Sequence, residues 1–158
     1  GGPRVGLVWR GNPQHAEDKR RSIDWPVLEP LEAAAGVHWF ALNYGHRPGR
    51  LGQAQVVDLG PQTADLRDAA AAIDQMDLVI SVDTAMAHLA GALARPVWLL
   101  AAYVPDWRWL VGRQDSPWYP TMRLFRQRQP GDWDGVVRRV AAALGEELSK
   151  GGLRHRYA

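Results

Sequence analysis

Cysteine is missing from all 158 residues, which excludes disulfide bridges, zinc–thiolate centres and a cysteine nucleophile. No apolar run approaches the roughly 18–20 residues that a membrane-spanning helix needs. Lysine occurs only at Lys19 and Lys150, so the 19 basic side chains are almost all guanidinium. The dinucleotide fingerprint G-x-G-x-x-G and the phosphate loop G-x-x-x-x-G-K-[ST] do not occur, which argues against a nicotinamide-dependent dehydrogenase and a P-loop enzyme. G-x-S-x-G is missing too, against an α/β-hydrolase. The histidines at 15, 38, 46, 88 and 155 give no H-E-x-x-H or similar spacing, so no metal site and no resident cofactor are expected. The start, Gly1-Gly2-Pro3, has neither Met nor a charged-then-apolar leader, as expected of a piece of a longer chain.

What is present fits one globular domain, which at this length buries roughly 68–70% of its unfolded surface. The formal charge is only +2 and the basic clusters are short: Lys19-Arg20-Arg21, the Arg126/Arg128 pair and Arg154/Arg156. Nucleic-acid binding calls for cations gathered on one face with few acids between them, and none is expected here. Eight tryptophans are the compositional oddity.

Short apolar runs alternate with helical patterns, the signal of βαβ units and a parallel sheet. Strands are expected at Val5–Trp9, Val37–Leu42, Val56–Leu59, Leu78–Val82, Val97–Leu100 and Met122–Phe125. Helices are expected at Pro26–Ala35 with Asp24 as cap, Ala64–Gln75, Ala85–Ala94 and Trp133–Leu148. The fold class is therefore α/β: a Rossmann-like, doubly wound sheet of about six mostly parallel strands with helices on both faces. Residues 1–152 form the single domain, and 153–158 are expected to be a flexible basic tail.

Two connections exceed the usual length of about 2–6 residues in α/β units, Arg10–Ile23 and Ala101–Pro120. Both follow strands and so lie at the carboxyl edge, where open α/β sheets bind ligands. Between them in the chain, Ser81-Val82-Asp83-Thr84-Ala85-Met86-Ala87-His88 ends a buried strand and starts a helix at once. First-turn amides and the helix dipole make an anion site. Thr84 can cap the helix or bond a phosphate, and His88, at i,i+4, shares its side. The residues alone equally allow a plain N-cap beside a half-buried histidine. Gly11, Asn12, Lys19 and Arg21 in the first long loop either close over a diphosphate or form a solvated loop. Trp107, Trp109 and Trp118 in the second either stack on a base or sugar or plug their own loop.

Val79 to Leu93, followed by Pro96, resembles the signature of the heptosyltransferase-like family (glycosyltransferase family 9, GT-B fold). With Gly6-Leu7-Val8-Trp9, Gly11-Asn12-Pro13, Arg21-Ser22-Ile23, Pro105-Asp106-Trp107-Arg108-Trp109, Ser116-Pro117-Trp118-Tyr119-Pro120 and Arg123-Leu124-Phe125-Arg126-Gln127, residues 4 to 144 are more similar still to another group. That group is the glycosyltransferase-like domain ending many bacterial tetratricopeptide-repeat proteins.

The resemblance implies one half of a GT-B fold, a donor-binding domain for a nucleotide diphosphate-sugar. Asp83, Thr84 and His88 match the family's Asp-Thr-Gly-x-x-His segment, and Ala85 stands where that segment has Gly. Arg21, or else Lys19, matches the basic residue on the phosphates, with Gly11 and Asn12 beside it. No acid occurs in Asn43-Tyr44-Gly45-His46-Arg47, where the family grips the ribose. The acceptor domain or repeat region and the general base would lie outside this chain, leaving it inactive alone. The implied location is the cytoplasm, including the inner face of the membrane. The alternative is a non-catalytic protein-interaction domain on the same fold.

Overall fold

The structure, a computed structural model, describes the backbone of residues 1–155 and the side chains of residues 1–153. Six strands are present: β1 (Arg4–Val8), β2 (His38–Ala41), β3 (Val56–Asp58), β4 (Leu78–Val82), β5 (Val97–Ala101) and β6 (Met122–Arg126). They form one sheet in the order β3-β2-β1-β4-β5-β6, and every pairing is parallel. This is the doubly wound topology expected from the alternating pattern, with the switch between β1 and β4. β4 and β5 are buried at every position, which is why their sequences are almost wholly apolar, with Ser81 the one polar residue.

Alternation along the strands feeds two cores. Trp39, Ile80, Trp98 and Phe125 face one side, with Val136, Val137, Val140 and Leu144 of helix α4 (Trp133–Ser149) against them. Val79, Val97, Leu99 and Leu124 face the other, covered by Ile73 of α2 (Leu66–Asp74) and by Ala87 and Ala90 of α3 (Ala85–Ala92). A further short helix, α1 (Asp18–Arg21), sits inside the first long loop, where the sequence shows no helical period. At only four residues it is too short to display one.

Three expectations need correction. The segment expected as an α-helix over Pro26–Ala35 is a 3₁₀ helix over Trp25–Ala33. Pro30 lies inside it, lacks an N–H and clashes with the carbonyl four residues back, so the chain tightens to three-residue bonds such as Ala34 N to Leu31 O. Asp24 makes no capping bond there and pairs with Arg10 instead. At the other end, Gly152–His155 forms a turn of helix, α5, and Leu153 is buried in the first core, so the packed domain runs past residue 152. The remainder of the expected tail, 156–158, lies outside the described residues. No helix among the described residues is long and apolar enough to cross a membrane.

Candidate functional site

Above the switch point, the loop after β1 and the loop after β4 face each other. Asn43, just past β2, holds the end of β1: its Oδ1 accepts from the amides of Trp9 and Arg10 at 2.8 and 3.2 Å, and its Nδ2 donates to the Arg10 carbonyl at 2.7 Å. These bonds account for a buried amide in the place where the sequence offers no acid. They are structural, and nothing in the spacing of Asn43 announces them.

From there the chain enters a hydrogen-bonded loop. The Gly11 amide donates to Ser22 Oγ (2.9 Å), Ser22 Oγ donates to Asp18 Oδ1 (2.8 Å), and Arg21 Nε lies 3.4 Å from the same oxygen. Arg21 then crosses to the second loop, where its Nη1 donates to the Asp83 carbonyl at 2.9 Å. A Cβ at Gly11 would sit 2.5 Å from both the Arg21 guanidinium and the Asp18 carboxylate, so a larger residue here would displace that pair. Arg21 is thereby held at the amino end of α3. Thr84, the N-cap, makes no side-chain capping bond, while its carbonyl accepts from the Ala87 amide at 3.1 Å, so the Ala85 and Met86 amides are the first-turn donors open to an external acceptor. Its hydroxyl stands 3.3 Å from Ser81 Oγ.

Asp83 is held by two hydrogen bonds and faced by a histidine. Trp109 Nε1 donates to Oδ2 at 2.9 Å, His88 Nε2 lies 3.8 Å from Oδ1, and Arg21 takes the backbone carbonyl. His88 stacks on the Trp109 ring with centroids 5.0 Å apart, and its Nδ1 is 2.9 Å from the Tyr119 hydroxyl. A cleft of about 730 Å³ opens here, lined among others by Arg20, Arg21, Asp83, Thr84, Ala85, His88 and Arg108. A second cavity of about 580 Å³ adjoins it, lined by Gly11, Asn12, Asn43, His46 and Met86, and it shares Arg21, Thr84 and Ala85 with the first. The two are one groove with Arg21 at its waist.

The candidate residues thus divide. Asp83, Thr84, Ala85, His88 and Arg21 converge on the cleft, and Gly11 and Asn12 line its extension, where Asn12 Oδ1 also accepts from the Gln14 amide at 3.0 Å. Lys19 is exposed on α1 and lines neither cavity, whereas its neighbour Arg20 does. Helical phase decides this and could have been read only with α1 in hand. The three loop tryptophans separate as well. Trp109 is fully buried and offers no open ring face; Trp107 and Trp118 are exposed and line neither cavity. Trp107 carries the Arg108 guanidinium over its ring at 4.8 Å, and Trp118 donates its indole N–H to the Arg108 carbonyl at 3.0 Å. Asp106 closes the loop through bonds from the Arg108 amide and guanidinium at 3.0 and 2.9 Å. Burial pushes its carboxyl up, but those bonds outweigh burial, and with a smaller pull from His88 they hold its pKa below the usual value.

Beneath the loop, Arg126 donates to the carbonyls of Trp109 and of Arg113, the latter at 3.0 Å. Burial lowers the pKa of this guanidinium. Between the two anchored carbonyls the chain turns sharply, and Leu110 takes φ 54° and ψ −163°, a conformation open essentially to glycine and costing other residues about 1–3 kcal/mol. Leu110→Gly is therefore expected to leave the fold unchanged and raise the unfolding free energy by about 1 kcal/mol, after the entropy of the added glycine is subtracted. Urea denaturation of the two proteins measures it; a loss of stability would show that Leu110 is not strained. Among the described residues no group of three or more His, Asp or Glu side chains is arranged to hold a metal ion.

Comparison with known proteins bears on the fold. Residues 49–106 match the family model "Glycosyltransferase family 9 (heptosyltransferase)". Protein FlbA of Caulobacter vibrioides is 35% identical over 152 residues, covering 90% of this chain and 25% of FlbA. The E. coli heptosyltransferase WaaC, solved with ADP, superposes with a TM-score of 0.59 at 18% identity, over 96% of this chain and 45% of WaaC. A glycosyl transferase family 9 structure from Veillonella parvula gives 0.58 at 11% identity, over 96% of this chain and 47% of that one. The chain thus spans a quarter of FlbA and less than half of the solved enzymes. Residues 49–106, which hold Asp83, Thr84 and His88, carry a glycosyltransferase family 9 (heptosyltransferase) match, on the Rossmann-like fold that solved enzymes of that family share.

Proposed function

We propose that this domain binds the donor of a glycosyl transfer, a nucleotide diphosphate-sugar, and that its catalytic partner groups lie outside the chain. One observation carries the reading: Arg21 is tied to the Asp83 carbonyl at the uncapped start of α3, so a fixed guanidinium and free amides face the same groove. Both favour a diphosphate, through charge-assisted bonds and the helix dipole. Arg20 and Arg108 also line the cleft, each paired with an acid there, Glu17 at 3.1 Å and Asp106 at 2.9 Å. Arg21 is therefore the guanidinium that carries the reading, and the neighbouring cavity gives room for a nucleoside.

In the transfer, the acceptor hydroxyl attacks the sugar's anomeric carbon and the bond to the phosphate oxygen breaks. The nucleotide diphosphate leaves with the bonding electron pair. Arg21 and the first-turn amides stabilise the charge that develops on it, which is the electrostatic part of catalysis. The proton of the acceptor hydroxyl goes to a base on the remainder of the parent protein, whether an acceptor domain or a repeat region. The isolated chain accordingly binds without turning over. FlbA and the solved enzymes are longer than this chain, which leaves room for that remainder.

The test is calorimetric titration of ADP, UDP, GDP, CDP and inorganic pyrophosphate into the chain. At least one nucleoside diphosphate is expected to bind with Kd below about 1 mM, and His88→Ala to weaken it by about tenfold. If none binds, the donor-site reading is wrong. A second reading, an interaction domain, is favoured by exposed Tyr103, Val104, Trp107, Val111 and Trp118 on the loop between β5 and β6. Under that reading the same titration is silent.

A further inference from the structure

His88 lies between two groups whose proton requirements differ, and this fixes more than its position. Its Nδ1 meets the Tyr119 hydroxyl at 2.9 Å, and its Nε2 faces Asp83 Oδ1 at 3.8 Å. An ionised carboxylate only accepts, while a phenol can donate or accept. The one neutral arrangement that suits both neighbours places the proton on Nε2 and lets Tyr119 donate to the Nδ1 lone pair. With Nδ1–H instead, two lone pairs, one on Nε2 and one on Asp83, would face each other across the cleft.

The neighbours are arranged to keep it so. Trp109 Nε1 occupies Asp83 Oδ2, leaving Oδ1 as the oxygen turned to the imidazole. The Trp109 ring also stacks on His88 at 5.0 Å and blocks one face. Tyr119 is itself seated by packing: a Cβ at Gly91 of α3 would lie 2.6 Å from its ring. The charged groups that line the cleft with the imidazole are Asp83 on its own side, Glu17, Arg20 and Arg21 from the first loop, and Asp106 and Arg108 from the second.

We infer that Tyr119 is a positioning residue that locks His88 as the Nε2–H tautomer, so that the ring presents an N–H donor and no lone pair to the cleft. His88 then serves as a hydrogen-bond donor to an anionic ligand and does not act as a base through Nε2. At 3.8 Å the separation from Asp83 Oδ1 is too long for a direct bond and leaves the N–H available to a ligand oxygen. The choice of tautomer stands on the unliganded geometry. Only its consequence for binding rests on the donor-site reading.

Imidazole nitrogen NMR on the full chain, with His88→Gln to assign the signals, reads the tautomer directly. Wild type is expected to show His88 wholly as Nε2–H, and Tyr119→Phe, which keeps the ring and its packing, to show a mixture. Gly91→Ala is expected to act like Tyr119→Phe, by displacing the ring without removing the hydroxyl. Pyrophosphate affinity should fall about three- to tenfold in both variants, with the melting temperature of Tyr119→Phe nearly unchanged. An Nδ1–H signal in wild type, or the same tautomer ratio in wild type and Tyr119→Phe, overturns the assignment; measurable pyrophosphate binding that is equal in wild type and Tyr119→Phe overturns its consequence for binding. If the tautomers behave as stated and pyrophosphate binds to none of the proteins, Tyr119's role stands and the donor-site reading falls.

Discussion

Arg21→Ala is expected to weaken nucleoside diphosphate binding about 10- to 150-fold, the largest loss from any single side chain on the groove. The magnitude follows from one charge-assisted contact, worth about 1.5–3 kcal/mol. Arg21 stands at the waist shared by the two cavities and is held by Asp18 and by the Asp83 carbonyl, so it has lost its freedom before a ligand arrives. Arg21→Lys should recover only part of the loss. An ammonium can reach one acceptor as a point charge but cannot span carboxylate, carbonyl and ligand as the planar fork does. Lys19→Ala, at an exposed position off the cleft, should change affinity less than twofold. Calorimetric titration of the three variants with ADP or UDP measures this, and an Arg21→Ala protein that binds like wild type would remove Arg21 from the site.

Trp109→Ala is expected to destabilise the domain by about 3–5 kcal/mol, the usual cost of deleting a large buried aromatic. Trp109 is wholly enclosed in the second core and carries the Asp83 carboxylate on its indole N–H. Two contributions are therefore lost together, and Trp109→Phe separates them. Phenylalanine keeps much of the packing but leaves Asp83 Oδ2 without its donor, for which about 1–3 kcal/mol is expected. Because that carboxylate is only partly buried, water can replace part of the bond, and the lower end of the range is appropriate. Urea denaturation gives both numbers. A Trp109→Ala protein within 1 kcal/mol of wild type would mean that the loop is not packed as described.

Much of this was legible in the sequence, for reasons that can be traced to particular residues. Leu78–Val82 reads as a strand because all five positions are buried, and an apolar run such as Leu78-Val79-Ile80 is the pattern such a strand leaves. Asp83, Thr84 and His88 could be placed together because a strand end and helical spacing suffice to bring them onto one side. The 3₁₀ segment was misread because Pro26 at a first turn suggests an α-helix, while Pro30 four residues later forbids one. Tyr119, Ser22 and Asp18 were invisible as site residues. Their roles come from contacts across 31 residues in the case of Tyr119 and His88, and from a four-residue helix in the case of Asp18. Trp107 and Trp109 are two apart in the chain, one exposed and one enclosed, because both lie on a single 3₁₀ turn, Trp107–Trp109, whose three-residue period points them to different sides.

The strand order has a consequence for how the chain is made. β1 is central, and its partner on one side is β4, with Val5 opposite Leu78. During synthesis, residues 1–77 therefore emerge with β1 flanked by β2 alone and its other, almost wholly apolar edge unpaired. An open edge of that kind is a template for pairing with another chain, and the hazard lasts until β4 has left the ribosome. At about 5–20 residues per second, that is a delay of several seconds in which a chaperone would be most useful to this domain.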